Sequence, residues 1–172
     1  IERYAGIVRT ALGKADRDLS IPGYLESTMG AENMGYTVRR GRFGNEKSVI
    51  DAELTGAKRP LEIVMVLALY GGPADQQEST VQAIAESLSV AHELTGEKVV
   101  RSLRFAFIPD TPEALKQLKD GLQRDGERLM HLLVLGGPEV AGIESISKAL
   151  DTTAKGTRVL SLAGAAQGFP DR

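Results

Sequence analysis

The segment from Ile63 to Tyr70 is an unbroken apolar run, and it leads directly into "GGPADQQEST". A run of this length and uniformity suits a central strand covered on both faces, because an exposed face would demand polar residues at alternate positions. The same layout recurs twice downstream. "SLRFAFI" is followed by "PDTPEALKQLKDGLQ", and "LMHLLVLGG" by a helical pattern opening at Pro138. A continuous apolar strand, a tight turn and a helix, repeated in series, is the signature of a parallel sheet with crossover helices.

Val81, Ile84, Ala85, Leu88, Ala91 and Leu94 have helical spacing, with Asp75 or Ser79 available to cap the start. Thr111 and Pro112 form an N-cap and N1 pair for the helix after "SLRFAFI". Val140, Ile143, Ile146 and Leu150 pattern another helix. Toward the amino end, Tyr4, Ile7, Val8, Ala11 and Leu12 predict an amphipathic first helix. "KADRDLS" is a polar break, and Ser20 with Pro22 predicts the opening of a second helix that runs to Met34 and stops at Gly35. "YTVRRGRF", the turn "GNEK" and "SVIDAELTG" read as a hairpin. "TRVLSLAGAA" is expected to be a last strand and "QGFPDR" a tail. The predicted fold is a three-layer α/β/α sandwich with a mixed, mainly parallel central sheet, antiparallel at one edge, and with right-handed crossovers.

A chain of 172 residues is read as one domain, 1–172, able to bury a core without disulfides or a structural metal. The absence of cysteine excludes disulfides, thiolate metal sites and cysteine nucleophiles. A net charge of -2 argues against a nucleic-acid or anionic-membrane surface. No apolar run approaches the roughly 18 residues of a membrane span. The chain begins at Ile1 rather than Met, which fits a processed or trimmed product.

Few residues signal chemistry. His92 lies on a helix pattern and reads as a surface or boundary residue. His131 sits inside an apolar strand with no acid or second histidine near it in sequence, and reads as a partly buried, satisfied side chain. Asp110 follows a strand and precedes a helix, where a carboxylate also serves the turn and the helix dipole. The two "GGP" turns, at Gly71–Gly72 and Gly136–Gly137, end strands where open sheets bind ligands and helix N-termini attract anions. The same glycines also serve a tight turn that needs permissive backbone angles. Neither turn is a P-loop, and no nucleophile elbow is present.

Three stretches carry a family resemblance: "YLESTMGAENMGYTVRR", "SVIDAELTGAKRPLEIVMVLALYGGP" and "VVRSLRFAFIPDTPE". In this order they resemble the di-zinc aminopeptidase family, peptidase family twenty-eight, with the glutaminyl cyclases and the transferrin-receptor ectodomain as relatives. The resemblance implies that metal-ligand positions fall on Leu69, Gly71, Gln76 (or Asp75 after a one-residue shift), Thr111 and Val134 or Leu135, with the base position on Asp110. The family's final histidine falls beyond the C-terminus of this chain or has no counterpart, so the resemblance is to a C-terminally short form.

Zinc needs several N, S or O donors at about 2.0–2.3 Å, and leucine, valine and glycine side chains offer none. The expectation is therefore a non-catalytic homologue with its metal ligands lost and a role in binding or assembly. Its relic cleft would comprise Tyr70, Gly71, Gly72, Asp75, Gln76, Asp110, Thr111, Gly136 and Gly137, with a peptide or protein as partner. No cofactor is expected. One alternative is an active hydrolase with a rearranged metal site built from Asp75, Asp110 and His131, which would use zinc. Another is a small-molecule or anion-binding α/β module using the glycine turns. Relatives are often exported, which implies a mild preference for an extracytoplasmic location.

Overall fold

The computed structural model describes residues 1–13, 17–43, 47–70, 77–135, 140–151 and 158–161. Two helices, α1 (Glu2–Leu12) and α2 (Arg17–Met29), precede the hairpin strands β1 (Thr37–Phe43) and β2 (Lys47–Leu54). The alternating part follows: β3 (Arg59–Tyr70), α3 (Gln77–Glu93), β4 (Arg101–Pro109), α4 (Pro112–Arg124), β5 (Arg128–Leu135), α5 (Val140–Ala149) and β6 (Arg158–Ser161).

The strands form one six-stranded sheet in the order β1-β2-β4-β3-β5-β6. The hairpin pairs antiparallel with itself and, through β2, with β4. The strands β4, β3, β5 and β6 run parallel. This is the mixed sheet expected from the sequence, with its antiparallel part at one edge.

The continuous apolar run of β3 feeds two cores because successive side chains point to opposite faces. Val66, Ala68 and Tyr70 enter one core with Leu25 and Met29 of α2 and Val81, Ile84 and Leu88 of α3. Met65, Leu67 and Leu69 enter the other with Leu115 and Leu118 of α4 and Ile146 of α5. The helix α4 forms as its sequence dictates. Thr111 takes extended angles (φ -141°, ψ 148°), its side chain accepts from the Ala114 N–H at 3.3 Å, and Pro112 opens the first turn. Its buried Ala114, Leu115, Leu118 and Leu122 then repeat at helical spacing.

Three expectations need correction. First, α2 ends at Met29, not Met34. Gly30 breaks it, and a separate turn closes on the Gly30 carbonyl, which accepts from Met34 N at 3.1 Å and Gly35 N at 3.0 Å. Gly35 does adopt the left-handed region (φ 78°), so it ends the turn rather than the helix. Second, Pro22 lies inside α2, which starts at Arg17. Third, Ile7 is exposed on α1, whose buried face is Val8, Ala11 and Leu12. Tyr36, just after the turn, then anchors the chain: its hydroxyl donates to the Ala91 carbonyl at 2.9 Å and its ring meets Phe105 edge-on at 5.7 Å. Burial raises its phenol pKa to about 12.

Candidate functional site at the carboxyl edge of the sheet

The topology itself nominates a site. From β3 the chain passes through α3 to β4 on one side, then through α4 back across β3 to β5 on the other. The helix after β3 packs into one core, and those after β4 and β5 pack into the other. At such a reversal, ligands in open α/β sheets usually sit beyond the carboxyl ends of the strands.

The register sets the described residues at that edge. Ala68 pairs with Phe107 on one side and Leu135 on the other, and Tyr70 pairs with Pro109. The ladder extends one step further, as Asp110 N–H donates to the Tyr70 carbonyl at 2.9 Å. Asp110 is exposed at this edge. Thr111 beside it is committed to capping α4. Tyr70 is buried, and its hydroxyl donates to the Ser48 carbonyl. Gly71, Gly72, Asp75, Gln76, Gly136 and Gly137 lie outside the described residues.

The ligand positions implied by the resemblance are filled as follows. Leu69 and Val134 are 5% and 2% exposed and belong to the core shared with Ile108, Ala114 and Leu118. Leu135 belongs to the opposite core. Among the described residues, no group of three or more His, Cys, Asp or Glu side chains could hold a metal ion.

Asp110 and His131 are not brought together. His131 pairs with Val64 on β3, whereas Asp110 lies just past the pair of Tyr70 with Pro109. The rise from Val64 to Tyr70, at about 3.3 Å per residue, separates them by roughly 20 Å along the strand direction. A first-row metal ion with ligands at about 2 Å cannot span that gap. His92 is exposed on α3, and its ring stands 6.5 Å from that of Tyr4.

The strongest electrostatic feature lies elsewhere, and the sequence reading missed it. Arg104, 2% exposed, sits in the middle of β4 among three carboxylates. Its Nη1 donates to Glu127 Oε2 at 2.6 Å and its Nε to Glu53 Oε2 at 3.1 Å. Asp51 Oδ1 lies 3.2 Å from Nε, yet it forms no hydrogen bond. Burial opposes the charge on Arg104, but the Glu127 bonds, the Asp51 charge and the Glu53 bonds outweigh it and raise its pKa. Asp51 moves the other way: burial outweighs the attraction of Arg104 and Arg39 and pushes its carboxyl up to about 6. Glu53 and Glu127 take the hydrogen bonds of Arg104, and Asp51 is left with charge attraction alone. An arginine inside the apolar run of "LRFAFI" was the available signal.

No protein-family model matches the chain, and no curated protein matches it. Solved structures do. A glutaminyl cyclase from Fimbriiglobus ruber superposes with a TM-score of 0.60 at 12% identity over 77% of this chain and 60% of that one. LapB from Legionella pneumophila gives 0.65 at 11% over 92% and 53%. A putative zinc-dependent exopeptidase from Bacteroides vulgatus gives 0.61 at 11% over 80% and 60%. The chain thus has a peptidase-like α/β fold, and it spans 53–60% of the length of these three structures.

Proposed function

We propose that the chain is a non-catalytic relative of the zinc exopeptidases and glutaminyl cyclases, with a role in binding or assembly. The observation that carries this reading is the burial of Leu69 and Val134 in the core at the strand ends. At those two positions the resemblance calls for lone-pair donors, and hydrocarbon side chains supply none. The roughly 20 Å between Asp110 and His131 along the sheet also counts against a rearranged site that uses both. Among the described residues, an exposed carboxylate remains at this edge, Asp110 beside the N-terminus of α4, suited to hydrogen-bonding a peptide or other polar ligand rather than to activating water on a metal.

Calorimetric titration with zinc tests the reading directly. The expected result is no tight uptake and no aminopeptidase turnover on adding zinc, cobalt or manganese. Tight binding near two equivalents, or metal-dependent turnover abolished by Asp110→Asn, overturns it.

A further inference from the structure

The helix α4 does not close fully onto the edge hairpin. A pocket of about 220 Å³ lies between them, lined from the sheet by Gly41, Val49 and Asp51 and from the helix by Gln117, Leu118 and Gly121. Gly41 pairs with Val49 and Arg39 with Asp51 across the hairpin, so these positions share one face of the sheet. It is the face that α4 covers, because Val49 belongs to the core of Leu118 and Leu122. Gly121 keeps the pocket open: a Cβ built there meets nothing within 4 Å.

Two acceptors in the pocket wall lack donors. Asp51 Oδ1 and Gln117 Oε1 are buried and, among the described residues, accept no hydrogen bond. They come from different elements, β2 and α4, yet line the same pocket. The Asp51 side chain as a whole is 16% exposed, which puts its carboxylate within reach of a small molecule there. A buried oxygen without a donor costs free energy that an N–H group of a ligand recovers.

The charges point the same way. Arg104 spends its bonds on Glu53 and Glu127, and Arg39 on Glu53 and Asp125. With Asp51, these two arginines therefore face four carboxylates, a surplus of two negative charges. Arg40 turns to the other face and pairs with Glu26. Counting the exposed Arg124 at the pocket rim still leaves a surplus of one.

We propose that this pocket binds a small organic cation, a short primary alkylamine in its protonated form. The ammonium donates to Asp51 and Gln117, and the hydrocarbon stem lies along Val49, Leu118 and Leu122, which also line the pocket. An anion would add to the negative surplus, and a neutral molecule of the same shape would leave the Asp51 charge uncompensated. The pocket shares no residue with the carboxyl edge of the sheet, so the inference stands apart from the metal-free reading of that edge.

Butylamine is the probe, titrated into isotope-labelled protein at pH 8 and followed by amide chemical shifts, with butyrate and butanol for comparison. Millimolar binding is expected for a ligand of so few atoms, with shifts concentrated at Gly41, Val49, Asp51, Gln117 and Gly121. Asp51→Asn keeps the shape, removes the charge and should weaken binding about tenfold. Gly121→Leu fills the pocket, in a helix where leucine is favoured over glycine, and should abolish binding. Wild-type affinity should also fall as pH drops through about 6, where Asp51 takes up its proton while the amine stays charged. The charged groups facing Asp51 are Arg39 of β1, Glu53 of β2, Arg104 of β4 and Glu127 of the turn before β5, with Asp125 at the end of α4 held by Arg39. The dispersion of each spectrum shows whether the variant is folded. Binding unchanged in Asp51→Asn or in Gly121→Leu overturns the proposal. No response to butylamine into the high millimolar range overturns it as well, and leaves water as the partner of both oxygens. Butyrate or butanol shifting the same amides equally overturns the choice of a cation.

Discussion

Replacing Asp51 with asparagine should stabilise the protein at neutral pH and do nothing in acid. The carboxyl is pushed up to about 6 in the folded chain, chiefly by burial, against an ordinary value of 3.8. The folded state therefore binds this proton more tightly than the unfolded state does. Asp51 then weakens the fold as pH rises through roughly 4 to 6, and the penalty is complete above that window. A difference of about two pKa units corresponds to about 3 kcal/mol. The side chain is 16% exposed, so solvent relieves little of that cost. Asparagine keeps the shape and removes the titration, so it mimics the protonated carboxyl at every pH. The assay is urea unfolding followed by circular dichroism at several pH values between 4 and 7.5, for both proteins. The expected difference is near zero at pH 4 and grows to about 1–3 kcal/mol in favour of Asp51→Asn at pH 7.5, or several degrees in Tm for a chain of this size. Other groups pull the opposite way: Glu62 and Glu78 are held low by Arg101 and Arg9 and lose stabilising charge in acid. They are common to both proteins and cancel in the difference. A variant less stable than the wild type at pH 7.5, with the gap closing in acid, would show that the attraction of Arg104 outweighs burial and refute the reasoning.

Two further substitutions test local structure. Thr111→Ala removes the oxygen that accepts from Ala114 N and should cost about 1 kcal/mol in denaturant unfolding, with Thr111→Ser restoring most of it. Gly56→Ala would bring a Cβ to 2.5 Å from the Arg101 carbonyl carbon, a backbone atom that cannot step aside, and should cost about 1–3 kcal/mol by the same measurement.

Much of the fold was legible because its signals are local or redundant. Ile63 to Tyr70 had to be covered on both faces, and only a central strand of a layered sheet does that. Thr111 and Pro112 specify a helix start within four residues, so no distant contact was needed. The end of α2 was not legible in the same way. Gly30 and Gly35 are both competent stops, and the choice goes with Tyr36 docking on Ala91, a contact across the fold. The Arg104 cluster was invisible for a similar reason: its acids come from β2 and from the turn before β5. At the candidate site, the sequence could align Asp110 with a family position. It could not tell that His131 lies well down the sheet, since that follows from the pairing of β3 with β5.

The bond from the Tyr70 hydroxyl to the Ser48 carbonyl passes over β4, since β2 and β3 are not neighbours in the sheet. It acts as a crossbar between the last residue of the central parallel strand and the edge hairpin. A substitution in the hairpin can therefore be felt at the carboxyl edge without touching it, and loosening the hairpin would free the tip of β3 to change the shape that edge presents.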